Sequence, residues 1–359
     1  MDTEERGIEG EAFPPLDVLA AADAAVAATR LTTRATEWAE RLGPPFDPAL
    51  APMCALPAAF VAPWMSRRGA RLTVRTGLWI FALDAWTDGP AARREPVRLR
   101  VDLAALRAVA RGTAPAKDAL GTALAQIRDD VAASPAILPP WQRAVDAALA
   151  GALFEYEAAL RMRAGGPAPT LGEYLRHGAA SIALAPLVLA MWSDMSPPAP
   201  AGACTAAPPA TCAPAPSASA TTVHARSVAA RSVPATSVPA RSASVTSASV
   251  RSGSITSASG TSASVPAVLR RPLRDACLAV RLANDLRGHH RERDEGVVDA
   301  LALGLPPDEV RCRITRHVAR CRRGLGPHLG AQPGPALALE RQLLWSVRHY
   351  EQFDAGHAA

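Results

Sequence analysis

Lysine is almost absent from this 359-residue chain: Lys117 stands alone among 39 basic residues. The formal charge of +6 is therefore carried by arginines, and these are interspersed with acids rather than gathered into a run. Without a basic cluster there is no electrostatic footprint for nucleic acid, which argues against such a partner. Aromatics make up only 4% of the residues, and the six cysteines show neither a CxxC nor a paired spacing. That pattern excludes a disulfide framework or a thiolate zinc site, and fits free thiols in a reducing compartment. The acidic N-terminus lacks the basic and apolar regions of a signal peptide. The longest apolar run, Gly178 to Trp192, is about 15 residues, interrupted by Pro186, and too short to span a bilayer. No membrane insertion and a cytoplasmic location are the expectations.

Strand-like alternation is also missing, and helical periodicity dominates. Helices are expected near 16–42, 50–62, 70–88, 101–111, 116–133, 140–164, 170–192, 267–294, 306–323 and 334–355. Glycine and proline pairs such as Gly43-Pro44, Gly89-Pro90 and Gly334-Pro335 punctuate them. Thr170 with Glu173 reads as a capping box. Residues 195–266 differ sharply: they are almost wholly Ala, Ser, Pro, Thr and Val, with eight five-residue units between His224 and Ala263. Each unit has Arg or Thr third and Ser fourth, and none offers the large apolar residue that a β-solenoid core needs. This stretch reads as a disordered insertion, and residues 1–14 as a disordered N-terminus. The folded body is then one all-α domain made of 15–194 and 267–359.

Two acidic helices could carry chemistry. In the first, Asp84 and Asp88 lie four apart on one face, beyond the apolar Trp79, Ile80 and Phe81. Carboxylates at the mouth of an apolar cavity suit Mg²⁺ shared with substrate phosphates; the plainer reading is two solvated acids at a helix end, where they oppose the macrodipole. In the second, Asn284, Gly288 and Glu292 fall at i, i+4 and i+8. An amide oxygen and a carboxylate two turns apart can chelate one metal with water between, while Arg291 can reach a phosphate. Here the plainer reading is a charged, exposed helix. Small residues and Pro186 after Gly178 imply a kink or break in a long helix, or close helix packing.

Together the two stripes resemble the class I terpene synthases, of bacterial cyclase type. Phe81 to Asp88 is similar to that family's DDxxD motif, and Asn284 to Glu292 to its NDxxSxxKE motif. Pro169 to Ala183 resembles its PSLxEYLxxR…G segment at the broken, substrate-sensing helix. Trp345-Ser-Val-Arg348-His-Tyr350 resembles the late Arg/Tyr pair.

The resemblance implies a single-domain helical bundle of the class I terpene synthase type, interrupted by the insertion. It implies three Mg²⁺ ions held by Asp84, Asp88, Asn284, Gly288 (through water) and Glu292. Arg291, Arg348, Tyr350 and Arg176 would face the diphosphate, Ser181, Ile182 and Ala183 the reacting carbon, and Gly77, Phe81, Trp192 and Trp345 the prenyl chain. The substrate would be farnesyl or geranylgeranyl diphosphate, and a homodimer is compatible with this. Three positions depart from the pattern: Ala85 replaces the second Asp, Gly288 a hydroxyl ligand, and Gly178 the diphosphate-sensing Arg. They leave open a degenerate, non-catalytic prenyl-diphosphate-binding or interaction protein, whose activity Ala85→Asp or Gly178→Arg would restore. A chain-elongating prenyltransferase is disfavoured, because the second motif is of the Asn/Glu type.

Deleting residues 200–262 is expected to leave helical circular dichroism and the melting transition of the chain intact. A large loss of helical signal would overturn the insertion reading.

Overall fold

A computed structural model describes residues 17–89, 95–195, 265–295, 297–330 and 332–352, without the side chains of 96, 265, 266 and 290–295. The expected N-terminal disorder and the repeat insertion lie outside the described residues. Every described element is helical. The principal helices are α1 (Val18–Leu42), α2 (Ala51–Val61), α3 (Arg67–Thr87), α4 (Pro96–Arg111), α5 (Ala119–Val131) and α6 (Leu138–Arg163). There follow α7 (Leu171–Ser181), α8 (Leu184–Met195), α9 (Arg270–Glu295), α10 (Pro307–Leu325) and α11 (Pro335–Gln352).

Local chemistry sets the starts. The side chains of Asp17, Ser66 and Asp118 each accept a backbone N–H of the first turn. Thr170 and Glu173 form the full capping box. Such caps contribute about 1 kcal/mol each. Proline stands in the first turn of α4, α6 and α10, where its missing N–H would have no helical partner anyway.

Helix α8 is the centre of the bundle. It packs against α3, α6, α9 and α11 and buries Leu184, Pro186, Val188, Leu189, Ala190, Met191 and Trp192. The segment Leu171–Met195 has a mean hydropathy of 1.4 and is long and apolar enough to cross a membrane. Its break at 182–183 and the burial of α8 among four helices account for that apolarity without a bilayer.

The helix expected over 170–192 is broken into two, Leu171–Ser181 and Leu184–Met195. The chain leaves α7 at Ile182, and Ala183 adopts φ +52°, the sole positive φ outside glycine among the described residues. Pro186 is not the break: it falls in the first turn of α8, where it is tolerated. Close packing holds the break in place. A Cβ on Gly151 of α6 would stand 2.5 Å from the His177 carbonyl oxygen and 2.9 Å from the Ser181 nitrogen. Only glycine lets the end of α7 approach so closely.

The left-handed backbone costs an alanine about 1–2 kcal/mol. Ala183→Gly is expected to hold or raise unfolding free energy, by up to about 1 kcal/mol, whereas Ala183→Val should lose about 2 kcal/mol or more. Urea denaturation of the two variants checks this.

Candidate active site

An apolar recess of about 120 Å³, open at its mouth, runs between α2, α3, α8, α9 and α11. Its wall carries Gly77, Phe81 and Asp84 from α3, Ile182 and Ala183 from the break, and Trp345, His349 and Tyr350 from α11. The Trp345 ring is braced by Phe60, with centroids 6.2 Å apart. Burial holds the Cys54 thiol of this wall protonated, pushing its pKa far above the usual range. Gly77 admits Cys54: a Cβ there would lie 3.0 Å from its Sγ.

Asp84 and Asp88 end α3, and both are accessible. Asp84 also lines the recess. Its carboxyl is raised well above the usual range, first by desolvation and then by the charges of Asp88 and Glu155; Arg281 opposes them. This is a site short of positive charge.

Glu155 and Arg281 belong to a buried network that joins three helices. Arg281 (α9) is 6% exposed. Its Nη1 lies 3.1 Å from Glu155 Oε1 on α6. Its Nε lies 2.7 Å from the Tyr174 hydroxyl on α7 and 2.8 Å from Asp285 Oδ1. Tyr174 donates to Asp285 Oδ1 (2.7 Å), and the Ala300 amide donates to Oδ2 (3.2 Å). Ser181, at the break, donates to Glu155 Oε1 (2.8 Å). Burial raises Glu155, against the pull of Arg281 and the Ser181 hydroxyl. It also raises Asp285, against Arg281, Tyr174 and the Ala300 amide. Tyr174 is raised well above its ordinary value by burial, so it remains a neutral donor.

Gly178 gains its meaning from this network. A Cβ at 178 would stand 3.2 Å from Arg281 Nε and 3.3 Å from its Cγ and Cδ. The guanidinium expected on α7 is thus replaced by one on the facing helix, in the volume that a side chain at 178 would enter. A side chain introduced by Gly178→Arg would therefore have to displace Arg281.

Other expected residues are distributed unevenly. Asn284 is half-buried and Gly288 buried on α9. The side chains of Arg291 and Glu292 lie outside the described residues. Arg176 is exposed on α7, about 200° around the helix from Gly178, and does not line the recess. Arg348 is likewise turned outward, 3.0 Å from Glu351 and 65% exposed at its side chain. Its neighbour His349 faces the recess instead, because the stripe facing the core along α11 runs through Leu339, Leu343 and Val347. Trp192 is also corrected: it is wholly buried, with its indole N–H donated to the Pro335 carbonyl (3.0 Å), since α8 is enclosed by helices. Sequence reasoning missed Glu155, Arg281, Gln342 and His349. The available signal was a charged or polar residue inside an otherwise apolar helical stripe, as in Cys277 to Ala283.

Among the described residues no group of three or more His, Cys, Asp or Glu side chains is arranged to hold a metal ion. Positions 85 and 288 supply no ligand, and Glu292 lies outside the description. The excess negative charge around Asp84 nonetheless suits a divalent cation, which would relieve it.

Residues 75–208 match the model of terpene synthase family 2, C-terminal metal binding. The chain is 39% identical over 88 residues to ent-pimara-9(11),15-diene synthase of Streptomyces sp. (strain KO-3988); this covers 24% of the chain and 30% of that relative. Its fold is similar to that of germacradien-4-ol synthase from Streptomyces citricolor (TM-score 0.52, 15% identity, 97% of this chain and 99% of that one). It is also similar to cucumene synthase (0.54, 14%, 95% and 98%) and to the SVS_A2 protein from ancestral sequence reconstruction (0.57, 15%, 90% and 85%). The matched segment resembles the terpene synthases in sequence, and the all-helical bundle shares their fold.

Proposed function

We propose that the chain is a Mg²⁺-dependent terpene cyclase that ionises farnesyl or geranylgeranyl diphosphate and cyclises the carbocation, releasing diphosphate. The observation that carries this reading is an apolar, aromatic-walled recess with Asp84 at its rim. Asp84 and Asp88 on α3, with Asn284 and Glu292 on α9, are the residues to hold divalent ions; three is the number that the family resemblance implies. When bound, these ions supply the positive charge that allows the diphosphate to depart.

The rest falls to the chain's own side chains. Arg281 places a fixed guanidinium beside the carboxylates, and the Tyr350 hydroxyl lines the same recess. Phe81 and Trp345 present ring faces that favour a cation. The buried walls exclude water, and the Ala183 turn brings the break at Ile182 to the cavity surface. The proposed partner is a prenyl diphosphate, with neither nucleic acid nor membrane insertion, in the cytoplasm. Ala85, Gly178 and Gly288 favour a second reading, a non-catalytic prenyl-diphosphate-binding protein. Incubation with Mg²⁺ and ten-, fifteen- and twenty-carbon diphosphates, followed by product mass spectrometry, tests the two. Binding without diphosphate release would select the second reading.

Asp84 takes up a proton more readily in the folded chain than in the unfolded one. Folded stability therefore falls as pH rises from the ordinary carboxylate range through that raised value. Without metal at neutral pH, Asp84→Asn should melt higher than wild type. Added Mg²⁺ should raise the melting temperature of wild type more than that of Asp84→Asn, which keeps Asp88, Asn284 and Glu292. Differential scanning fluorimetry reads both.

Arg281→Ala is expected to lower turnover by about 10²–10³-fold, the usual cost of one preorganised donor. Gly178→Arg alone should be equally poor, since two arginines then compete for one volume. The double variant Gly178→Arg/Arg281→Ala should recover much of the loss. Steady-state diphosphate release, measured beside a melting curve for each variant, checks the exchange.

A further inference from the structure

A second cavity, larger than the recess, runs along the first helix. This groove of about 700 Å³ lies between α1, the end of α2 and the start of α3. Its lining is largely alanine, with Leu31 and Met65 as the larger apolar side chains. No residue lines both cavities, and α2 stands between them: Met53 and Pro57 face the recess, Ala58 and Ala62 the groove. Three exposed arginines also line the groove, Arg30 and Arg34 of α1 and Arg67 of α3. Their guanidiniums have no ion-pair or hydrogen-bond partner among the described residues. For folding alone this placement is unfavourable. Arg30 and Arg34 are four apart on one helix face, where like charges repel. Arg67 opens α3, whose first turn holds no acid and carries the positive end of the helix dipole. The one acid of the groove, Asp23, is about two turns of α1 away from Arg30. An anion bound among the three arginines relieves both conflicts.

We propose that this groove is a second binding site, separate from the recess, for a hydrocarbon chain that ends in a diphosphate. Its volume lies in the range of sites that enclose small ligands, and an apolar lining with a few converging charged groups is the usual make-up of such sites. The alanine-rich lining takes the chain, and the arginines take the head. The choice of head follows from charge. Guanidinium binds phosphate oxygens through paired N–H donors, and a diphosphate has charge and oxygens enough for all three arginines. A carboxylate would satisfy one of them and leave the other two facing each other. The site goes beyond the cyclase reading and does not rest on it, because no bond is made or broken in the groove and no metal is needed there.

The test is isothermal titration calorimetry of the metal-free full chain in EDTA, with farnesyl diphosphate as the probe. Binding is expected, and Arg30→Ala/Arg34→Ala should weaken it by about tenfold or more. Ala27→Trp, which fills the groove and leaves its charge alone, should do the same. The arginine variant removes a repulsion and should melt no lower than wild type, so misfolding does not mimic the result. Farnesol and inorganic diphosphate, each offering one half of the ligand, should both bind more weakly than the whole. No binding by wild type, or an affinity unchanged in either variant, overturns the groove site. Lysophosphatidic acid binding more tightly than farnesyl diphosphate overturns the diphosphate head and assigns the groove to a lipid. A concentration-dependent dimer abolished by Arg30→Ala/Arg34→Ala assigns it to a second copy and overturns the proposal. So does tighter binding of the probe after Glu4, Glu5, Glu9 and Glu11 are changed to Gln, which assigns the groove to the acidic N-terminal segment. Failure of turnover with Mg²⁺ overturns the cyclase reading alone.

Discussion

A single buried arginine sets the terms for the active half of this bundle. Arg281 lies between Glu155 on α6, Tyr174 on α7 and Asp285 on its own helix, so it ties together the three helices that flank the break. Charges this deep are tolerated only when paired, and removing one partner of such a set typically costs about 3–5 kcal/mol. Tyr174 completes the pairing from both sides, donating to Asp285 and accepting from Arg281, while its ring lies 5.1 Å from the guanidinium carbon. The absence of a side chain at 178 is the space in which this assembly fits.

The break between α7 and α8 depends on the same assembly. Ser181 terminates α7 and is held by Glu155, and Gly151 lets α6 lie almost against the α7 backbone. Ala183 then carries the left-handed turn that opens α8. Backbone strain at a cavity wall persists only where the surroundings over-determine it, and here a capping box at one end of α7 and a charged network at the other do so.

Much of this architecture was readable from sequence. Most helix boundaries follow from periodicity and breakers, because caps such as Thr170 and prolines such as Pro335 act through neighbours only a few residues away, although α4 begins at Pro96, ahead of the expected 101. The rim aspartates and the aromatic Phe81 and Trp345 were likewise visible as local patterns. What escaped were relations across helices. Nothing local indicates that Gly178 faces Arg281, about a hundred residues on, or that the facing side of α11 is set by Leu339 and Leu343, turning His349 inward and Arg348 outward. Trp192 misled for the same reason: an aromatic near a cavity motif reads alike whether it lines the wall or fills the core behind it.

The position of α8 also bears on how the chain assembles. It is strongly apolar, and two of its four neighbours, α9 and α11, lie beyond the composition-shifted stretch after Met195. A ribosome adding roughly 5–20 residues per second takes on the order of 4–15 s to traverse the 74 residues between Met195 and Arg270, where α9 begins. Throughout that interval the apolar surface of α8 awaits half of its partners. The intervening sequence, poor in large apolar residues, offers no rival surface to capture it, which keeps the nascent chain from committing to a wrong core.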